Sequence, residues 1–192
     1  VKFGSTKDFL EKLNNYHEKL HKWTGELYLE LHRGTYTTHA YNKKMNRLME
    51  NKMRELELLY SCGRIEEYPY SDLEQMWKQI LKNQFHDIIP GSSITPVYEN
   101  CKTEYAALKK QYTDLKKHFA ATALRKNDNK ISFVNSLSFK YTNYHILPRE
   151  WKNHEVIDEN GAKLETEFID DKLILYLELP ALSTRTVTKG RM

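Results

Sequence analysis

The hexapeptide RKNDNK, Arg125 to Lys130, separates two sequence periods. Upstream of it apolar residues recur every three or four positions, the spacing of one face of an α-helix. Downstream they alternate, the spacing of a strand with one face buried. Between them Asn127, Asp128 and Asn129 favour a turn, because short polar side chains compete for backbone hydrogen bonds. The change of period predicts an α+β chain in separate domains. A helical bundle covers residues 1–126, with 25–36 as an extended arm, and a small antiparallel β-sandwich-like unit covers 130–192.

Four helical stripes lie upstream. Ser5 or Thr6 can cap a first helix whose apolar positions are Phe9, Leu13, Tyr16, Leu20 and Trp23. A second carries Tyr41, Met45, Leu48, Met49, Leu56 and Leu59, and a third runs from about Ser71 through Leu73, Met76, Trp77, Ile80 and Leu81. The fourth opens at Thr95-Pro96, a capping residue followed by proline at the first helical position. Its seam is Tyr98, Cys101, Tyr105, Leu108, Tyr112, Leu115 and Phe119, and the apolar run fades at Thr122. Such a seam needs facing helices to cover it, so an antiparallel bundle is expected. In the arm, Leu27, Leu29 and Leu31 alternate with polar residues, which puts Glu30 and His32 on one polar face.

Downstream, ISFVN, TNYHILP, KLETEFI, KLILYLELP and TRTVTKG read as short strands, punctuated by turn pairs such as Asn160-Gly161 and Asp170-Asp171. A β unit of this size buries little surface alone and is expected to lean on other chain.

Composition excludes several classes. The 30 basic and 26 acidic residues are interspersed, so a solvated surface is preferred to a nucleic-acid interface. Two cysteines, Cys62 and Cys101, make no disulfide framework and point to a reducing, cytoplasmic compartment. No apolar run approaches the ~20 residues that span a bilayer. Val1-Lys2-Phe3 offers neither an initiator Met nor a signal-peptide core, as expected of a segment of something longer.

Two motifs bear on chemistry. HEKLH, His17 to His21, fits the H-E-x-x-H pattern, in which two histidines one helical turn apart bind zinc. Trp23-Thr24-Gly25 stops the helix at once and no third ligand follows at helical spacing, so a wet helix flank is the preferred reading. The second motif is LKNQFHDIIPGSSI, Leu81 to Ile94. Continuing the third helix would place Gln84 and Asp87 on its buried stripe, where unpaired polar groups are costly, and would point His86 away. Either the helix frays at Phe85 and leaves His86 and Asp87 in a turn, or the pair serves a metal or sugar site.

This second motif resembles the His-Asp motif of glycoside hydrolase family 38, the retaining α-mannosidases, in its bacterial and cytosolic branch. WTGELYLELHRGTYTTHAYNKKMNR, Trp23 to Arg47, is similar to the segment leading into that family's helical middle domain. FVNSLSFKYTNYHILP and LELPALSTRTVT resemble the phrases that open and close its next β unit. The resemblance implies hydrolysis of α-mannosidic bonds with net retention, and a divalent metal, usually zinc, held by two histidines and two aspartates. His86 matches one of those histidines, and Asp87 matches an aspartate that hydrogen-bonds mannose hydroxyls. The implied partners are a mannose-containing oligosaccharide and the remaining domains of a parent chain. Self-association is compatible with it, and neither nucleic acid nor a membrane is expected.

Departures from the family pattern set limits. No His here is followed two places on by Asp, so the second histidine and its aspartate are absent. The nucleophile and acid/base carboxylates also lie upstream of the match; a retaining glycosidase needs such a pair about 5–5.5 Å apart. The metal site is therefore incomplete, no catalytic residue is assigned, and this chain alone is expected to be inactive. Arg33, in HRGTYT, is read as bracing a turn rather than as holding sugar, and no role is given to His32. The rival reading is a non-catalytic helical scaffold or carbohydrate-binding module, in which His86 and Asp87 are only turn residues.

Overall fold

The computed structural model describes residues 3–25, 34–123 and 127–191. The arm residues Glu30, His32 and Arg33 lie outside them. The chain divides into two units, residues 1–37 and 38–192.

In the first unit, α1 (Thr6–Asn14) begins with a capping box. The Ser5 hydroxyl accepts from the Asp8 amide at 3.2 Å, and the Asp8 carboxylate accepts from the Ser5 amide at 3.1 Å. Ser5, not Thr6, is the cap. The helix ends at Asn14, well short of Trp23, and a single 3-10 turn follows at His17–Lys19. Asn14 and Asn15 are poor helix formers, and a helix this short needs packing to extend. Of the expected stripe only Leu13 is half-buried; Phe9, Tyr16, Leu20 and Trp23 remain largely exposed.

The second unit holds the bundle. Helices α2 (Ala40–Ser61), α3 (Tyr70–Asn83) and α4 (Thr95–Ala123) share one core. α2 contributes Met45, Met49, Met53, Leu56 and Tyr60; α3 contributes Leu73, Met76 and Ile80; α4 contributes Cys101, Tyr105, Leu108 and Tyr112. Tyr41 is exposed and Asn42 buried, so the inward face of α2 lies one residue on from the start of the expected stripe. Side-chain pairs fix the directions. Trp77 donates to Glu57 at 2.7 Å and Gln84 to Glu50 at 2.9 Å, so α2 and α3 run antiparallel. Gln79 bonds Glu104 and Cys101 lies 3.6 Å from Asn83, so α3 and α4 do too. Tyr60 donates to the Leu115 carbonyl and Tyr112 to Glu55, which sets α4 parallel to α2. Among the described residues no helix is long and apolar enough to cross a membrane.

Among the described residues seven strands follow: β1 (Lys130–Asn135), β2 (Tyr141–Leu147), β3 (Val156–Ile157), β4 (Lys163–Leu164), β5 (Thr166–Ile169), β6 (Lys172–Leu179) and β7 (Ser183–Lys189). They form two antiparallel sheets, ordered β1-β7-β3-β4 and β2-β6-β5. Strict alternation sends Leu173, Leu175, Leu177 and Leu179 of β6 into a core with Trp151, Val156 and Val187. Asp170 and Asp171 both take left-handed backbone, with φ of 46° and 64°, as the two-residue turn of the β5–β6 hairpin. Buried Asn135 ties the loop after β1. Its amide donates to the carbonyls of Phe139, Leu179 and Pro180, and its oxygen accepts from the Leu137 amide. Asp158 organises the β3–β4 turn by accepting from the amides of Asn160 and Ala162 at 2.9 and 2.8 Å.

Two predictions follow from this packing. Leu108 is fully buried whereas Lys109 is exposed, so Leu108→Ala should cost about 2–5 kcal/mol and Lys109→Ala no more than about 0.5 kcal/mol in denaturant unfolding. The Ala162 amide, helped by the Asn160 amide and the Arg185 charge, holds the Asp158 carboxyl below its ordinary value against the opposing effect of burial. A depressed folded pKa contributes stability in full above the unfolded value of about 3.9, and loses it as pH falls through the folded value. Unfolding of the wild type against pH should show that loss in this window, and Asp158→Asn should remove its part of it.

Candidate functional site

The end of α3 resolves the fate of the polar residues on its stripe. Gln84 caps the helix, with φ −87° and ψ 0°. Its amide donates to Asn46 at 3.1 Å and to Glu50 at 2.9 Å, and Asn46 in turn donates to Glu50 at 3.0 Å. A polar side chain at that position is therefore paired across to α2, which answers its desolvation cost. Asp87 avoids the problem differently: the helix has ended before it, and the chain has turned.

That turn is built from backbone bonds. The amides of Ile88 and Ile89 both donate to the Phe85 carbonyl, at 2.8 and 3.0 Å, and the Gly91 amide donates to Ile88 at 3.1 Å. Pro90, with no amide proton and a fixed φ, suits the exit from such a turn. The Ser93 hydroxyl donates to the Asp87 carbonyl at 2.6 Å. Tyr98, one turn into α4, works from beneath: its hydroxyl oxygen accepts from the Ser93 amide at 2.9 Å and lies 3.4 Å from the carbonyls of Asp87 and Ile88. The backbone of the turn is held inward by these bonds, and Ile88 packs against the core.

The side chains of His86 and Asp87 project the other way. They are 77% and 60% exposed, and His86 Nε2 lies 3.5 Å from Asp87 Oδ2. The His86 ring rests beside Phe85 with centroids 4.1 Å apart, and the second carboxylate oxygen of Asp87 lies 3.5 Å from the Ser92 hydroxyl. One imidazole nitrogen and one carboxylate thus reach solvent from a fixed turn, types suited to a zinc ion and to sugar hydroxyls respectively. No group of three or more His, Cys, Asp or Glu side chains among the described residues is placed to hold a metal ion. Here the described residues offer a metal no more than the one imidazole of His86, with the Asp87 carboxylate beside it.

HEKLH does not present two histidines on one α-helical face. His17 begins the 3-10 turn, its Nδ1 lying 2.8 Å from the Asn14 carbonyl, and Leu20 is already extended before His21. Sequence reasoning missed the supporting residues Tyr98 and Ser93. Tyr98 was legible as a seam residue, but nothing local marks a hydroxyl that meets a turn ten residues upstream.

Comparison with known proteins bears on this site. Residues 30–124 match the family described as the alpha mannosidase middle domain. The chain is 43% identical over 102 residues to alpha-mannosidase G of Dictyostelium discoideum, covering 52% of this chain and 9% of that protein. It is 35% identical over 162 residues to human alpha-mannosidase 2C1, covering 81% of this chain and 16% of that one. The chain thus spans a small part of the relatives it matches. A crystal structure of an alpha-mannosidase from Enterococcus faecalis V583 aligns over 95% of this chain and 28% of its own, with TM-score 0.60 and 16% identity. A glycosyl hydrolase family 38 protein from the same organism aligns over 96% of this chain and 28% of its own, with TM-score 0.57 and 18% identity. These two likenesses concern the fold.

Tyr98→Phe keeps the buried ring and removes only the hydroxyl that meets the turn. It should cost about 0.5–1.5 kcal/mol, the net worth of a hydrogen bond to a partly buried amide, measured by denaturant unfolding. A loss much below this would mean that the turn does not depend on the hydroxyl.

Proposed function

Through residues 30–124 the chain belongs to the α-mannosidase middle-domain family, and from that membership we propose that it is the middle portion of a retaining, metal-dependent α-mannosidase of glycoside hydrolase family 38. The intact enzyme hydrolyses α-mannosidic bonds in mannose-containing glycans. Residues 1–126 serve as its helical middle domain, and 130–192 open its β region. The observation that carries the reading is the family match across the turn that displays His86 and Asp87.

His86 supplies one nitrogen ligand to a divalent metal, zinc by the chemistry of imidazole. Asp87, as a carboxylate with two acceptor oxygens, receives hydrogen bonds from sugar hydroxyls and orients the ring. When bound, the metal supplies Lewis-acid grip on sugar oxygens. The remaining ligands, the nucleophile and the acid/base carboxylate come from the rest of the parent chain, which would act through a covalent glycosyl-enzyme with net retention. The partners are the glycan and those further domains, with self-association left open. The cytoplasm, suggested by two free cysteines, is the proposed compartment.

Three measurements test this. The chain by itself should not cleave an aryl α-mannoside with or without zinc, whereas the full-length enzyme should; turnover by the chain alone would refute the roles given. In the full-length enzyme, His86→Ala should lower both bound metal and activity. Asp87→Asn should keep most of the metal and lower kcat/KM by about 10–100-fold, the loss of one hydrogen bond to a charged group. A His86→Ala enzyme with full metal and normal rate would remove the ligand assignment.

A further inference from the structure

We propose that Lys43, which no sequence motif singles out, is a positioning residue for the His86–Asp87 turn. Its ammonium joins the Thr38 and Ile89 carbonyls and so fixes the start of α2 against the loop that displays the pair. The proposal rests on the reading of His86 as a metal ligand.

The geometry is specific. Lys43 Nζ donates to the Thr38 carbonyl at 2.6 Å and to the Ile89 carbonyl, 46 residues away in sequence, at 2.8 Å. Ile89 sits two residues after Asp87, and its own amide closes the turn onto Phe85. An ammonium has three donors and no acceptor, so it can bridge two carbonyls that would otherwise repel each other. Bonds with one charged partner are roughly twice as strong as neutral ones. The half-buried stem carries the charge to that place, as long lysine side chains do.

Two further contacts from the same segment converge on the turn. Gly91 has φ +95°, and a Cβ built on it would lie 2.6 Å from Thr38 Cγ2, so backbone and Thr38 side chain meet with no room between them. His39, itself in left-handed backbone at φ 51°, lays its ring on Tyr98 at 3.6 Å and 12°. Tyr98 is the residue whose hydroxyl meets the carbonyls of Asp87 and Ile88. The segment Thr38–Lys43 therefore reaches the turn directly at Ile89 and Gly91, and indirectly through Tyr98. A candidate ligand on a short loop is aimed only as well as that loop is held. Partners that bond a ligand directly typically change metal affinity by about 10–100-fold. Lys43, which acts through the backbone at Ile89, is placed at the lower end of that range.

Hydrogen exchange on this chain reads the clamp without any metal. K43M, close in length but with no donor, should speed exchange at the Ile88, Ile89 and Gly91 amides about tenfold, with Leu108 in the α4 core unchanged. K43R, which keeps a charged donor, should restore most of the protection. In the full-length enzyme, K43M should weaken zinc retention against a competing chelator about tenfold and lower kcat, with the melting temperature held and K43R again the rescue. Unchanged turn amides in K43M would overturn the clamp. Faster exchange throughout, Leu108 included, would make Lys43 a residue of the general fold and would also overturn it. Faster turn exchange with unaltered zinc affinity would overturn the positioning role. H86A serves as the reference: wild-type zinc affinity there would sink the ligand reading and the functional half of this proposal, while the exchange result still decides the structural half.

Discussion

The end of α3 is the constraint from which the rest of this unit follows. An apolar stripe cannot continue into Gln84 and Asp87 as helix without burying both. The side chain of Gln84 is taken across to Asn46 and Glu50 of α2, which both satisfies it and marks the end of the helix. Everything distinctive about the loop then depends on that stop. The chain folds its backbone inward onto Phe85, and two side chains of opposite chemical character are left facing solvent. Had the helix run one more turn, His86 and Asp87 would have diverged by about 100° around its axis.

Much of the architecture was legible because burial writes periods into sequence. The α4 seam through Tyr98, Cys101, Tyr105, Leu108 and Tyr112 is buried as its spacing requires, and β6 alternates as read. The boundary at RKNDNK separates α4, which ends at Ala123, from β1, which starts at Lys130. Where the reading fell short, a partner decided the outcome. The stripe from Phe9 to Trp23 has helical spacing, yet α1 stops at Asn14, because periodicity states only what a helix would bury, and most of this stripe stays exposed. On α2 the same logic misplaced Tyr41 and overlooked buried Asn42.

The site was legible in a different way. Physical spacing alone left His86 and Asp87 undecided between a frayed helix end and a binding pair; the helix does end before them, and both side chains are exposed. The weight toward chemistry came from resemblance. Of the residues that hold the turn, Tyr98 was legible only as a seam residue, and Lys43 was not legible as a clamp. Lys43 and Ile89 are 46 residues apart, and a lysine on a helix flank reads as a solvated charge until the fold brings two carbonyls to it.

The α2 seam has a consequence for chemical durability. Met45, Met49, Met53 and Met76 are all buried in one core. Thioethers are flexible and polarisable, so such a core adapts to changes in its neighbours' shape more readily than one of branched residues. Adaptability in volume brings fragility toward peroxide. An oxygen added to any of these sulfurs would place a bulkier, polar sulfoxide inside close packing built for apolar side chains. Intact packing shields the sulfurs, so oxidative damage should begin in molecules that have transiently opened, and each oxidised molecule would then find it harder to close again.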